Sequence, residues 1–171
     1  ERQGIKMDEV KVMDEQQRNE SLNRHVELNT MQFIVAQLGG EQYGIDIKYI
    51  SNIIRMSRIT RVPKVSDYIV GVINVRGVVI PTISLRLKMG LPEDEITKKT
   101  RIIILTLEQH ESIGVLVDEV KEVVTLDEEH IEKMGYEKDE KERFLSGVGK
   151  TEGRLISLLD ITSVLADVME S

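Results

Sequence analysis

The side chain in this sequence best suited to act on another molecule is Arg76, in the tetrapeptide Asn74-Val75-Arg76-Gly77. A guanidinium presents five N–H donors in a rigid fork that matches a carboxylate two bonds at a time. The tetrapeptide separates two β-branched runs, Tyr68 to Ile73 and Val78 to Leu85. Asn and Gly supply the backbone freedom of a tight reversal, so Arg76 is expected at the tip of a β-hairpin. Two readings stand side by side there: a polar residue that suits a solvated turn, or a fork held out toward a partner's carboxylate.

The other candidates for chemistry are weaker. Gly147-Val148-Gly149-Lys150-Thr151 ends like a phosphate-binding loop, but Phe144 stands where that motif needs its first glycine. The residues after Thr151 also run into a strand, where the motif requires a helix whose amino end holds phosphate. An ordinary turn is the expectation. His25, His110 and His130 each lie in a polar segment with no second ligand at helical or hairpin spacing, which offers neither a metal site nor a base for a nucleophile. The carboxylates fall in charge runs, so no tuned acid–base pair is expected. Asp46 and Asp118 follow apolar residues and read as turn or strand-end caps. No catalytic residue, metal or cofactor follows from the sequence.

Composition narrows the partners. The net charge of -7 opposes a nucleic acid or an anionic membrane held by bulk attraction. With no Trp and only 4% aromatic residues, stacking platforms for bases are not expected either. The absence of Cys removes disulfides and thiolate chemistry and suits a reducing cytoplasm. No apolar run is long enough to span a bilayer, and no secretory start is evident, so direct membrane insertion is not expected.

Positioning a hairpin tip requires β-structure. Residues 1–29 are polar and read as a mobile charged tail. Met31 to Leu38 and Gln42 to Ile47 form a first hairpin over Gly39-Gly40. Apolar residues at 47, 50, 53 and 54 fit a helical turn or a bulged strand equally, and Val62-Pro63 ends that piece. Neither run of the central hairpin alternates between apolar and polar, so both faces should be covered; Pro81 demands a bulge, a bend or an edge. Arg101 to Leu107, Ser112 to Val117 and Val120 to Leu126 are further strands. Residues 127–143 read as an exposed charged insertion, with a capped turn in Asp127-Glu128-Glu129-His130-Ile131-Glu132-Lys133. Phe144 to Val148 and Arg154 to Leu159 form a last hairpin, and Asp160 caps an amphipathic helix, Ile161 to Met169. Short strands with glycine turns, in two clusters joined by residues 67–85, predict a mainly β fold of two linked barrels forming one domain over 30–171. Core packing is the default for Ile47, Ile50, Ile53 and Ile54. Small barrels cannot bury every such residue, however, and an apolar groove left between them would be a partner site.

Four stretches, YGIDIKYISNIIR, ITRVPKVSDYIVGVINVRGVVIPTISLRLKMG, IGVLVDEVKEVVTL and the segment from Gly149 to Asp160 that closes in RLISLLDI, resemble in that order the CheW family of chemotaxis coupling proteins, over about residues 31 to 168. The Asn-x-Arg-Gly tip is the most specific part. The resemblance implies two linked five-stranded SH3-like barrels with a hydrophobic groove between them. It also implies a non-catalytic adaptor in the cytoplasm that joins the cytoplasmic tip of methyl-accepting chemotaxis receptors to the regulatory domain of a CheA-type histidine kinase, itself a related fold. Carried over by position, Ile34, Ile47, Ile50, Ile53 and Val120 would line the receptor groove. Asn74, Arg76 and Gly77 would form the coupling tip, with Gly71 in the strand before it. Asn52 stands where many members carry a glutamate used in kinase contact. No response-regulator domain of the hybrid coupling proteins is expected. A small-ligand or enzymatic barrel using the groove is the alternative, and it lacks converging polar groups.

Overall fold

The computed structural model of the chain describes Gln16 and residues 30–63, 65–108, 111–135, 139 and 142–169. The tail expected over 1–29, Gln16 apart, falls outside these, as do His25 and His110. The strands are β1 (Thr30–Leu38), β2 (Glu41–Asp46), β3 (Ile50–Arg55), β4 (Ile69–Val75), β5 (Val78–Ser84), β6 (Arg101–Thr106), β7 (Ser112–Val117), β8 (Glu119–Asp127), β9 (Ile131–Lys133), β10 (Leu145–Thr151) and β11 (Arg154–Leu159). A short helix, α1 (Leu85–Lys88), follows β5, and α2 (Ile161–Met169) follows β11. The strands form a sheet in the order β8-β1-β2-β11-β10-β9 and another in the order β3-β6-β7-β5-β4.

Each sheet curls around a core of its own. Phe33, Val35, Val124, Leu126, Ile156 and Leu158 fill the first, and Ile73, Ile80, Ile102, Ile104 and Leu116 fill the second. Ile54 from one edge strand of the second sheet and Val75 from the other pack on the same core, which closes the barrel. Alternate residues of the same strands point the other way. Ile34 and Ala36, Ile103 and Leu105, and Val115 and Val117 enter a third core between the barrels, the largest of the three, which α2 completes with Ile161, Val164 and Leu165. In the central hairpin Ile73 and Ile80 likewise serve one core and Ile83 the other, but Val78 and Val79 near the tip are exposed, against the expectation that both faces are covered. Strands β1, β6 and β7 need no alternation. Their two faces serve two different cores.

The barrels repeat one topology. In the first, the β1–β2 hairpin lies parallel to β11 through β2, and β11 is hairpinned to β10. In the second, the β6–β7 hairpin lies parallel to β5 through β7, and β5 is hairpinned to β4. The outer strands β8 and β3 correspond, each pairing with the first hairpin strand across a one-residue irregularity. The register equates Ile50 with Val120, Ile53 with Val123 and Ile54 with Val124, since these residues face Leu105, Ile103 and Ile102 in one barrel and Ala36, Ile34 and Phe33 in the other.

Several expectations are refined by the coordinates. The segment 47–54 is both things its spacing allowed: a 3₁₀ turn over Ile47–Tyr49, capped by Asp46, whose carboxylate accepts from the Lys48 amide at 3.0 Å, and then strand β3. The hairpin loop is only two residues, Arg76 and Gly77, because Asn74 and Val75 still pair with Val79 and Val78. Pro81 sits opposite Val72, whose amide and carbonyl both bond outward to Thr60. Pro81 therefore occupies a position that needs no N–H toward β4, and β5 joins β7 only from Thr82 onward. The charged insertion is shorter than expected. Residues 128–130 make a 3₁₀ turn, Asp127 makes no side-chain capping bond, and 131–133 pair with β10 as an added edge strand, giving the first sheet its sixth member. Gly147 to Thr151 lies wholly within strand β10 and is not the expected turn, because Lys150 and Thr151 still pair with Leu155 and Arg154 and the loop is only Glu152 and Gly153; it is not a phosphate loop either. Asp118 is not a local cap. It accepts both Arg86 Nε–H and Nη2–H at 2.6 Å and the Gly39 amide at 2.8 Å, and so clasps α1 of one barrel to the β1–β2 turn of the other.

Candidate functional site

The hairpin tip is built by turn chemistry of the mirror-image kind. Arg76 has φ +53° and Gly77 φ +84°, the pattern of a two-residue loop whose twist suits the strands on either side. The Asn74 side chain accepts from the Gly77 amide at 2.9 Å and locks the loop. Asn or Gly would sit more easily than Arg at the first loop position, since a left-handed backbone crowds a Cβ. Arg76 is exposed and forms no ion pair among the described residues. Val78 and Val79 beside it are 58% and 61% exposed.

Gly71 belongs to the root of this hairpin, not its tip. Its φ is +147°, and a Cβ there would lie 2.3 Å from the Thr60 carbonyl oxygen, so glycine is what allows residues 59–60 to bridge onto β4. Asn52 is exposed on β3, the edge strand at the far end of the sheet order from β4, and its side-chain oxygen accepts from the Ile53 amide at 2.9 Å.

Of the residues expected along the groove, four converge. Ile34 is 8% exposed within the inter-barrel core, and Ile50, Ile53 and Val120 are half-buried against that core. Ile47 stands apart. It is 37% exposed in the 3₁₀ turn, lining a shallow depression with Met31, Lys48 and Thr125. Sequence reasoning missed Val123, which lies directly across from Ile34 and is 54% exposed. Its signal was an internal repeat: Gly44 to Ile54 and Gly114 to Val124 carry aliphatic residues at the same relative places. The result is an apolar rim with approximate two-fold character, Ile50 and Ile53 from one barrel and Val120 and Val123 from the other.

A separate cavity of about 480 Å³ is walled by Met56, Ile59, Val62, Val65 and Ile96, with Asp94 its most sheltered carboxylate. Burial pushes Asp94 upward from its ordinary range. The hydroxyl of Ser84 donates to both of its oxygens, at 2.8 and 3.0 Å, while Ser84 itself caps α1 through the Leu87 amide at 3.1 Å. The polar group of this cavity is thus engaged in holding a helix start.

A family model described as the CheW-like domain matches residues 32–169. This chain belongs to the CheW-like family. The chemotaxis protein CheW of Bacillus subtilis is 42% identical over 134 residues, 77% of this chain and 85% of the relative. That of Helicobacter pylori is 31% identical over 159 residues, 92% and 96% of the two chains. Among solved structures, the scaffolding protein CheW of Thermoanaerobacter tengcongensis superposes with a TM-score of 0.70 at 32% identity, covering 76% of this chain and 88% of that one. The two linked SH3-like barrels and the closing helix are therefore those of a CheW-like domain.

Proposed function

We propose that this CheW-like chain is a non-catalytic chemotaxis adaptor, joining the cytoplasmic tip of a methyl-accepting chemoreceptor to the regulatory domain of a CheA-type histidine kinase. The observation that carries the reading is the apolar rim of Ile50, Ile53 and Val120 packed on the inter-barrel core, with exposed Val123 across from Ile34 of that core, in a fold of this family. An amphipathic helical hairpin laid in that rim would shield aliphatic surface that water now touches, a helix-in-groove mode. Ile34 would then serve as floor, and Ile47 as an outlying contact.

The second contact is assigned to the hairpin tip. Arg76 offers its fork, Asn74 and Gly77 hold the loop that carries it, and Gly71 fixes the hairpin's root. Asn52 would give the kinase a neutral side chain where a carboxylate is common in the family. Two weak contacts on one rigid body raise the effective concentration of each partner for the other, so coupling follows from geometry more than from tight pairwise affinity. No helix among the described residues is long and apolar enough to cross a membrane. The chain would reach the membrane-associated array through its receptor, without inserting and without nucleic acid. The test is co-sedimentation of receptor fragments with kinase, reading kinase activity in the pellet. Activity that requires this chain is expected; a chain that binds neither partner refutes the proposal.

A further inference from the structure

The cavity of the second barrel is a place that the proposed adaptor contacts do not use. It lies at the root of the β4–β5 hairpin, between the segment that follows β3 and the segment that follows α1, and Ile69, Ser84 and Leu87 line it there. Neither Arg76, at the opposite end of that hairpin, nor the rim residues Ile50, Ile53, Val120 and Val123 belong to its described lining. At about 480 Å³ it falls within the range of about 300–1,000 Å³ that small-molecule sites occupy, and like them it joins apolar walls to a few polar groups.

Exposed aliphatic surface is concentrated here. Val62, Val65 and Ile96, exposed by 40%, 40% and 56%, are three of the nine large apolar side chains found exposed among the described residues, and all three line this one cavity. A solitary exposed aliphatic needs no explanation, whereas three converging on a hollow from two chain segments mark a surface that something apolar covers. The charge inside is negative. Arg61, Asp67 and Glu93 stand exposed, where water and salt screen them, while Asp94 is half-buried. None of the three carboxylates forms an ion pair among the described residues. The Ser84 hydroxyl has a single hydrogen to share between the two Asp94 oxygens, so that carboxylate keeps lone pairs for a further donor.

We propose that the cavity binds a small organic cation, an amine with a short hydrocarbon body that lies against Met56, Ile59 and Val65 while its ammonium donates to Asp94. A carboxylate among apolar walls suits that pairing, because the head gains a charge-assisted hydrogen bond while the tail leaves water. A neutral amphiphile lacks the first gain, and an anion meets a like charge.

The test is titration of the full chain, isotope-labelled, with hexylamine, hexanol and hexanoate at neutral pH, followed through amide chemical shifts. The three probes share one apolar body and differ in the head. Hexylamine should shift the amides of Met56, Ile59, Val65 and Ile96 saturably and bind at least about 10-fold more tightly than hexanol, with hexanoate weakest. Asp94→Asn keeps a carbonyl oxygen for Ser84 and removes the charge, and it should bring hexylamine down to the level of hexanol. Val65→Trp, at an exposed position on the lip, should crowd the cavity and weaken every probe with circular dichroism unchanged. The proposal is overturned by hexylamine shifts that do not saturate, by equal binding of the three probes, by a preference for the amine that survives Asp94→Asn, or by binding that Val65→Trp leaves intact. Neither receptor nor kinase is present in these titrations, so each of those outcomes leaves the adaptor reading untouched.

Discussion

Replacing Arg76 with Asn should make the protein more stable and less competent. The left-handed backbone at Arg76 (φ +53°) costs a residue with a Cβ on the order of 1–2 kcal/mol, and Asn recovers a good part of this because its short side chain tolerates that region. Arg76 forms no ion pair within the described fold to set against the gain. A net gain of about 0.5–1 kcal/mol follows, which for a chain of this size is a rise in Tm of about 1–4 °C. The same change removes a two-pronged donor. A charge-assisted hydrogen bond is worth about 1.5–3 kcal/mol, so losing even one of the two prongs should drop affinity for a carboxylate-bearing partner about 10- to 100-fold. The assay pairs differential scanning calorimetry with titration against the kinase regulatory domain. Arg76→Lys, which keeps the charge and loses the fork, should fall between wild type and Asn in binding. A Tm that drops by more than about 2 °C would show that Arg76 supports the fold in a way the tip geometry does not reveal. Undiminished binding would remove the guanidinium from the contact.

Further outcomes follow from the same coordinates. Gly71→Ala should cost at least about 3 kcal/mol in urea melts, because the added Cβ meets the Thr60 carbonyl oxygen at 2.3 Å on a strained backbone; a loss below about 1 kcal/mol would mean that the 59–60 segment can retreat freely. Asp118 is held below the usual carboxylate range chiefly by the Arg86 fork, with the Gly39 amide helping and burial opposing. Its native value lies under its unfolded one, so its contribution is complete above about pH 4 and is lost as pH falls through the lowered value; Asp118→Asn should cost about 1–2 kcal/mol at neutral pH, allowing for partial exposure, and flatten the acid limb of the stability curve. Lys88 has a side chain only 3% exposed, sits 4.0 Å over the Tyr68 ring and donates to Asp167 at 3.0 Å on α2. Lys88→Met should stay within about 1 kcal/mol of wild type, because Asp167 is half-exposed and can hydrate, while Lys88→Ala opens a cavity and should cost about 2–4 kcal/mol. Val123→Glu should leave stability within about 0.5 kcal/mol yet weaken receptor-fragment binding at least about 10-fold, and equal binding would exclude Val123 from the groove.

Much of the fold could be read from residue type. The central hairpin announced itself through Ile69–Val75 and Val78–Ser84, but the lack of alternation overstated its cover, since Val78 and Val79 near the tip are exposed. What escaped was carried by shape, not by pattern. Strand β9 rests on one half-buried aliphatic, Ile131, and on the close approach of the Glu132 carbonyl to Gly147, where a Cβ would come within 2.6 Å; no periodicity in a run of charges reports that. The internal repeat was hidden because equivalent places keep only their apolar character, Ile50 with Val120 and Ile53 with Val123, while the polar residues between them diverge. Val123 was lost with it. Asp118 looked like a strand-end cap because its partner Arg86 is distant in the chain, and only the packing of α1 brings the two together. Arg76 was legible as a tip residue, whereas its left-handed backbone, which Asn or Gly would fit better, is a matter of three-dimensional structure.

The core between the barrels has one last implication. Among the described residues, eighteen buried side chains lie there, against six and five inside the barrels themselves, so the junction holds more of the described core than either half does. Swinging the halves apart would expose that apolar core to water, which opposes a hinge between them. Whatever it joins is held at a fixed spacing and angle, as a gauge block sets a gap. A neighbour that shifts must either carry the whole block with it or let go.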